Sequence, residues 1–391
     1  NVSTASAGNL SQSGENALSL EFDSEDLDSS YNESECTKIN LSGSGATASG
    51  SGVTVENGNI TITSAGSYII SGTLTDGSIK VNCSEKGTVR LILNGASISS
   101  SSTAPVVVEE AKKVLVTLAD GTTNTITDSS RLSTEEDYSA VIYSKEDLII
   151  NGNGTLNVNA GYRNGIKSTD DCIIVSGTLN ITSTEDGIIG KDLCGIVAGD
   201  ININAGSDGI KSTYDTDTTK GNVIIEGGNI TIKASNDGIQ AENILVINDG
   251  TINIKTNNGA ADTTQTHIDN MDMGRGGFGF NNNKTTTTTD DTSESRKGIK
   301  AGNMLIINDG DITIDSDDDS VHCNSVIYIY GGTINAATGD DGVHADDLLT
   351  VNGGTINITQ CYEGLEADDI VINDGDISVV SSDDGINSSD G

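Results

Sequence analysis

The sequence predicts an all-β chain wound as a right-handed parallel β-helix, with about 22 residues and three short strands per coil. Three observations predict it. An acid, a glycine and a branched aliphatic return together at Gly165, Gly187 and Gly209, in steps of 22, and again at Gly298, Ser320, Gly342 and Gly364. Gly385 follows after 21 and Gly238 after 29, the excess being a short insert at "YDTDTTK" (214–220). Within one period, "DGIQAENILVINDGTINIKTN" (237–257), three extended segments alternate apolar and polar residues, with Ile252 and Ile254 on one face and Thr251, Asn253 and Lys255 on the other. Composition agrees: 47 Gly, one Pro, no Trp and three Phe in 391 residues suit short strands and tight turns.

The elements follow in order. Residues 1–36, rich in Ser and acids, read as a linker or pairing segment. Residues 37–391 read as a single solenoid domain, less regular up to about Asp147 and interrupted by a low-complexity insertion at 259–296 that is either functional or disordered. The corners "NDG" (248–250, 308–310, 373–375) hold residues that tolerate the left-handed conformation. Equivalent side chains should then stack one strand spacing apart, ~4.8 Å. One inward file runs Ile166, Ile188, Ile210, Ile239, Ile299, Val321, Val343, Leu365, Ile386, and another runs from Leu179 through Ile252 to Ile377. Parallel connections of this kind are right-handed. Cys172 and Cys194 fall at one inward position of neighbouring coils, spaced for either a disulfide or simple packing.

A net charge of −38 excludes nucleic acid as a partner, because phosphate binding needs Lys and Arg. No apolar run approaches a membrane span. The chain opens "NVSTASAGNL" rather than with Met, which points to export processing and an extracellular location, secreted or surface-anchored. Its last residues, "SSDDGINSSDG", lie inside the repeat signature without a cap. Head-to-tail self-assembly into filaments is one expectation, and a frayed or truncated monomer the other.

The acids stack as well. One column holds Asp186, Asp208 and Asp237, with Glu185 beside it; a second holds Asp319, Asp341, Glu363 and Asp384, doubled by Asp318, Asp340 and Asp383. Carboxylates at strand spacing suit a calcium ion between them, since Ca–O bonds are ~2.4 Å. The alternative is a turn that favours Asp before Gly. Three His and six Cys do not make a zinc ligand set. The outward file after the inward aliphatic reads Lys167, Ile189, Lys211, Gln240, Lys300, His322, His344, Glu366, Asn387. Its bases either receive a polyanion or offset the neighbouring acids. A second outward stripe, Ile224, Val246, Ile306, Tyr328, Thr350, Val371, is either covered or offered to a ligand, with Tyr328 and Tyr330 the candidates for stacking on a sugar ring.

These motifs, the repeated "DGI-K/H-S/A", the "INDGTINI" strand-turn-strand and the "MDMGRGGFGF" insert, resemble the clostridial-type carbohydrate-binding parallel β-helix family. "KDLCGIVAGD" (191–200) and "DSV" (319–321) depart from the repeat. The resemblance implies a secreted or surface-anchored, calcium-binding cousin of pectate lyases that binds cellulose or pectin-type polysaccharide without catalysis. The competing expectations are a polysaccharide lyase, with Lys211 or Lys300 as base beside Ca²⁺, and a structural surface filament or adhesin.

Overall fold

The computed structural model describes residues 19–20, 22–129, 138–260 and 295–389. Among these, 36 strands account for nearly all regular structure, and one helix, Ser24–Leu27, is four residues long. Over most of the stack each strand pairs in parallel with the strand three places on, so the chain returns to the same line after three strands. Ile166 pairs with Ile188, Ile188 with Ile210 and Ile210 with Ile239. Each such return is a rung. The architecture is β-helix-like.

Pairing of identical residue types makes the core. The expected apolar files are buried from Ile166 to Leu365 and from Leu179 to Ile356. The last members of the two files are the exceptions, Ile377 being half-buried and Ile386 53 % exposed in the final described rung. Each buried Ile or Leu removes enough apolar surface to contribute about 1.5–3 kcal/mol, against a large conformational entropy cost. Cys172 and Cys194 are register partners in this core and stand there as free thiols packed in the apolar file.

The signature glycine is required by close approach. A Cβ on Gly209 would lie 2.5 Å from the Gly238 carbonyl and 2.4 Å from Ile232. The "NDG" glycine has the conformational reason instead, with φ of 127° at Gly250. Before residue 147 the stack is less regular, as expected. Two antiparallel hairpins, Thr37–Gly43 with Gly45–Ser49 and Val53–Glu56 with Asn59–Ile62, cap that end. The 13-residue strand Thr88–Ser100 follows them. The 259–296 insertion lies outside the described residues except for its flanks.

Where it is described, the opening stretch forms a strap docked along the outside of the stack. Leu20 and Phe22 pack on the apolar stripe that includes Leu115, Ile149, Ile173 and Ile224. Gly195 stands in register between Ile173 and Ile224 and leaves the room that Leu20 fills. Arg90 donates to the Asp28 carbonyl, and Asn151 Nδ2 to the Asp26 carbonyl at 2.9 Å. The anchor is Lys113, whose ammonium meets Asp26 at 2.5 Å and Asp23 and Glu25 at 3.0 Å. Asp26 is 0 % and Lys113 2 % exposed. The acids that made the segment look like a linker are the ones this lysine needs.

Removing one partner strands a buried charge, which typically costs about 3–5 kcal/mol. Asp26→Ala is therefore expected to lower the urea midpoint clearly and to expose the strap to protease. Lys113→Met with Asp26→Leu should recover much of the loss. An Asp26→Ala midpoint equal to wild type would show that the strap does not depend on this pair.

Candidate functional site

The repeated acid has a backbone task. At the corner before each short strand, its carboxylate accepts the N–H of the equivalent residue one rung on. Asp208 N donates to Asp186 Oδ1 and Asp237 N to Asp208 Oδ1, both at 3.0 Å. Asp341 N donates to Asp319 Oδ1 at 3.1 Å and Glu363 N to Asp341 Oδ1 at 3.2 Å. Asn164 takes the same place at the start of the file, accepting from Asp186 N at 3.0 Å. Strand ladders leave this N–H without a partner, and the Asp side chain is short enough to reach it.

The second oxygen of each acid faces the outward file. Lys211 Nζ lies 2.6 Å from Asp208 Oδ2, and Lys300 Nζ 3.8 Å from Asp237 Oδ2. Lys297 was not expected. It occupies the acid's own position in the file, before Gly298, and inserts a cation between Asp237 and Asp319. Its N–H donates to Asp237 Oδ1 at 2.8 Å, and its ammonium meets Asp319 at 2.6 Å and Asp318 at 3.1 Å. The signal was legible as Lys-Gly-Ile standing where the repeat has Asp-Gly-Ile.

Two histidines extend the pattern. His322 and His344 are register partners with ring centroids 4.9 Å apart. His322 Nδ1 meets Asp319 Oδ2 at 2.8 Å, and its Nε2 meets Asn324 Oδ1 at 2.9 Å. His344 stands among Asp341 at 3.4 Å, Glu366 at 3.5 Å, Asp346 at 3.6 Å and Asp319 at 3.7 Å. Contrary to the sequence-based expectation, a mixed His and carboxylate set does form at Asp319, His322 and His344. Both ring nitrogens of His322 are already engaged within the protein, which speaks against a soft or borderline metal there.

Charge is unevenly balanced along the file. Burial disfavours ionisation of Asp319, but Lys297 and then His322 and His344 hold it well below the usual carboxylate range. Burial would depress His344, yet Asp341, Asp319 and Glu366 raise it to about 9. Asp340 is pushed up to about 7 by burial and by Asp319 and Asp318, and Glu366 to about 7 by burial and Asp341. Asp318, Asp319 and Asp340 each offer an oxygen within 4.8 Å of the others. Of the remaining sequence candidates, Asp186 is partly buried and Glu363 buried in the file, whereas Glu185, Asp383 and Asp384 are exposed and join no such group among the described residues.

Tyr328 and Tyr330 sit elsewhere, on Val326–Ile329 and the corner after it. Their rings lie nearly parallel, 21° apart with centroids at 6.3 Å, and Tyr330 is 41 % exposed. Tyr328 continues the apolar stripe beyond the strap, in register with Ile306. A polar strip lies on the third strand, where Asn202 donates to Asn180 at 3.2 Å and Asn180 to Asn157 at 3.0 Å.

Sequence reasoning missed a second acidic group, Asp147, Asp170 and Asp171, at the corner between the first and second strands. Burial, then the nearby Asp147 charge, raise Asp171 to about 8 and Asp170 to about 6. These acids share no Gly signature, so the repeat did not draw attention to them.

A long, parallel-dominated sheet that stacks acids, cations and an aromatic pair on successive rungs defines a β-helix-like solenoid. The chain belongs to the family described as carbohydrate-binding domain-containing protein, which matches residues 56–342. A protein of that description from Acetivibrio thermocellus is 38 % identical over 124 residues, covering 31 % of this chain and 43 % of the relative. The chain thus spans less than half of that relative's length. A solved structure, the polysaccharide lyase-like protein from C. thermocellum as a gadolinium derivative, is 34 % identical with a TM-score of 0.55, over 57 % of this chain and 92 % of that one.

Groups raised in the folded state stabilise it while protonated and lose that contribution as pH climbs through the folded value. Asp340 falls away between 3.8 and about 7, Glu366 between 4.5 and about 7, and His344 between 6.5 and about 9. In chelator, the melting temperature is expected to decline from about pH 4 to about pH 9. His344→Gln should flatten the upper arm, on the order of 3 kcal/mol at most. A profile unchanged by that substitution would contradict the charge assignment.

Proposed function

We propose that the protein is a non-catalytic, calcium-dependent binder of plant cell-wall polysaccharide, cellulose or an acidic pectin-type glycan, acting outside the cell. The scaffold in this reading is a right-handed parallel β-helix of about 22 residues per coil, in keeping with register partners such as Ile188 and Ile210. The observation that carries the reading is membership of the carbohydrate-binding domain-containing family over residues 56–342. The flat outer strands, the polar amide strip and the Tyr328–Tyr330 pair suit an extended glycan, whose rings stack on aromatic faces.

Calcium belongs at the C-terminal part of the acid file. Asp318, Asp319, Asp340, Asp341 and Glu366 there outnumber Lys297, His322 and His344, and a divalent cation would relieve the excess. A uronate carboxylate could complete its coordination.

A lyase is the second reading, favoured by the neighbour's description as polysaccharide lyase-like. Its base would be Lys211 or Lys300. Burial lowers the Lys211 pKa, but Asp208, with Asp186 and Asp237, outweighs it and leaves the ammonium raised. A base must shed its proton near working pH, so this lysine is poorly tuned for abstraction.

Incubation with polygalacturonate and Ca²⁺ is expected to give retention in pull-down without unsaturated product. Tyr330→Ala should weaken retention about tenfold, equivalent to about 1.4 kcal/mol. Retention indifferent to chelator would remove the calcium mechanism. Product that disappears in Lys211→Ala would replace binding with catalysis.

A further inference from the structure

The pair that anchors the strap is also arranged as a reacting pair. Lys113 opens the strand Lys113–Leu118, and Asp26 lies in the helix Ser24–Leu27 of the strap. Both side chains are buried, and Lys113 Nζ lies 2.5 Å from Asp26 Oδ1. A nitrogen at hydrogen-bond distance from a carboxyl oxygen also stands beside the carboxyl carbon, near the separation of about 3–3.5 Å from which attack proceeds. The other oxygen, Asp26 Oδ2, accepts the Asp23 N–H at 3.0 Å. A backbone donor there is placed to hold the negative charge that develops when a nucleophile adds to the carbon. Glu25 Oε1 lies 3.0 Å from the same Nζ. Nucleophile, carboxyl carbon, oxyanion donor and proton carrier thus meet at one point.

As an ion pair the arrangement is costly. Three carboxylates close on one ammonium, and taking Lys113 and Asp26 out of water consumes much of what their attraction returns. Burial would lower the Lys113 pKa, but its bonds to Asp26, Glu25 and Asp23 outweigh this and raise it, so the pair starts as ammonium and carboxylate. An amide between the two carries no charge and avoids the desolvation cost. Asp23 and Glu25 would still keep water, since each is more than a third exposed, and Glu25 would keep Lys112 at 3.8 Å.

We propose that Lys113 and Asp26 condense to an intramolecular isopeptide bond that ties the strap covalently to the stack. Lys113 Nζ gives one proton to Asp26 Oδ1 along the bond they share, leaving a neutral amine and a carboxylic acid. The nitrogen lone pair attacks Cγ, and the Asp23 N–H holds the oxyanion on Oδ2. Glu25 takes a second proton from Nζ and delivers it to the departing Oδ1. The Nζ–Cγ bond forms, the Cγ–Oδ1 bond breaks and one water leaves. An ammonium and a carboxylate become a neutral amide, with no oxidant or cofactor. Free partners do not condense in water, but partners held in one geometry react at an effective concentration on the order of 10⁵–10⁸ M. This bond shares no residue with the acid file and does not rest on the carbohydrate-binding reading above.

The test reads the intact mass of the purified chain under denaturing conditions, and then its tryptic peptides. Wild type is expected to be lighter than its sequence by one water and to release residues 1–38 joined to residues 113–131 as one branched peptide. Lys113→Arg keeps the cation without the lysine amine and is expected at its full sequence mass. Glu25→Gln keeps both reacting groups and is expected to form the bond about a hundredfold more slowly after synthesis. If Lys113→Arg fails to fold by circular dichroism, Asp26→Ala is read in its place, again expected at full mass. A folded wild type at full sequence mass would overturn the proposal and leave a plain ion pair. A water lost without the branched peptide, which marks a succinimide, or a mass deficit that persists in Lys113→Arg would overturn it equally. A bond that forms as fast in Glu25→Gln as in wild type would overturn the part given to Glu25.

Discussion

Parallel pairing in register is the constraint on which the rest of the molecule depends. It sets equivalent groups of successive rungs one strand spacing apart, ~4.8 Å. For Ile and Leu that distance is favourable contact, and the core becomes a set of continuous files. For amides it allows one side chain to donate to the next, as Asn202 does to Asn180. For carboxylates it is repulsive unless something positive or hydrogen-donating lies between.

The acid file meets that repulsion in two ways. One oxygen of each acid accepts a backbone N–H from the rung beyond, which the strand ladder does not satisfy. The other faces a cation carried by the outward file or, at Lys297, by the acid column itself. Repeated Asp before Gly is thus a structural device first. Around Asp340 and Glu366 the acids outnumber the cations beside them, and both carboxyls are raised.

The outer faces are divided between uses. The strap takes the apolar stripe from Leu115 to Ile224, with Gly195 cut back to receive Leu20. Beyond it the same stripe continues to Tyr328, which lies beside Tyr330. The amide strip and the file beside the acids belong to different strands of each rung. A carbohydrate-binding solenoid of this family therefore has several long, differently furnished tracks on one scaffold, and a lysine on such a track is an ion-pair partner unless its neighbours lower its pKa.

What the sequence by itself determined is whatever repeats. The period placed Ile166, Ile188 and Ile210 in one file, Lys300, His322 and His344 in another, and Asp186, Asp208 and Asp237 in a third, because in-register stacking converts sequence spacing directly into contact. What breaks the period had to wait for tertiary structure. The strap joins Asp26 to Lys113 across 87 residues, a pairing no local pattern encodes. Asp147, Asp170 and Asp171 carry no shared signature, and their meeting depends on the corner that folds Asp170 beside Asp171 against the rung below. The committed state of each carboxylate was equally hidden, since a hydrogen bond to a backbone N–H or an ammonium held by another segment is decided by three-dimensional neighbours and not by spacing along the chain.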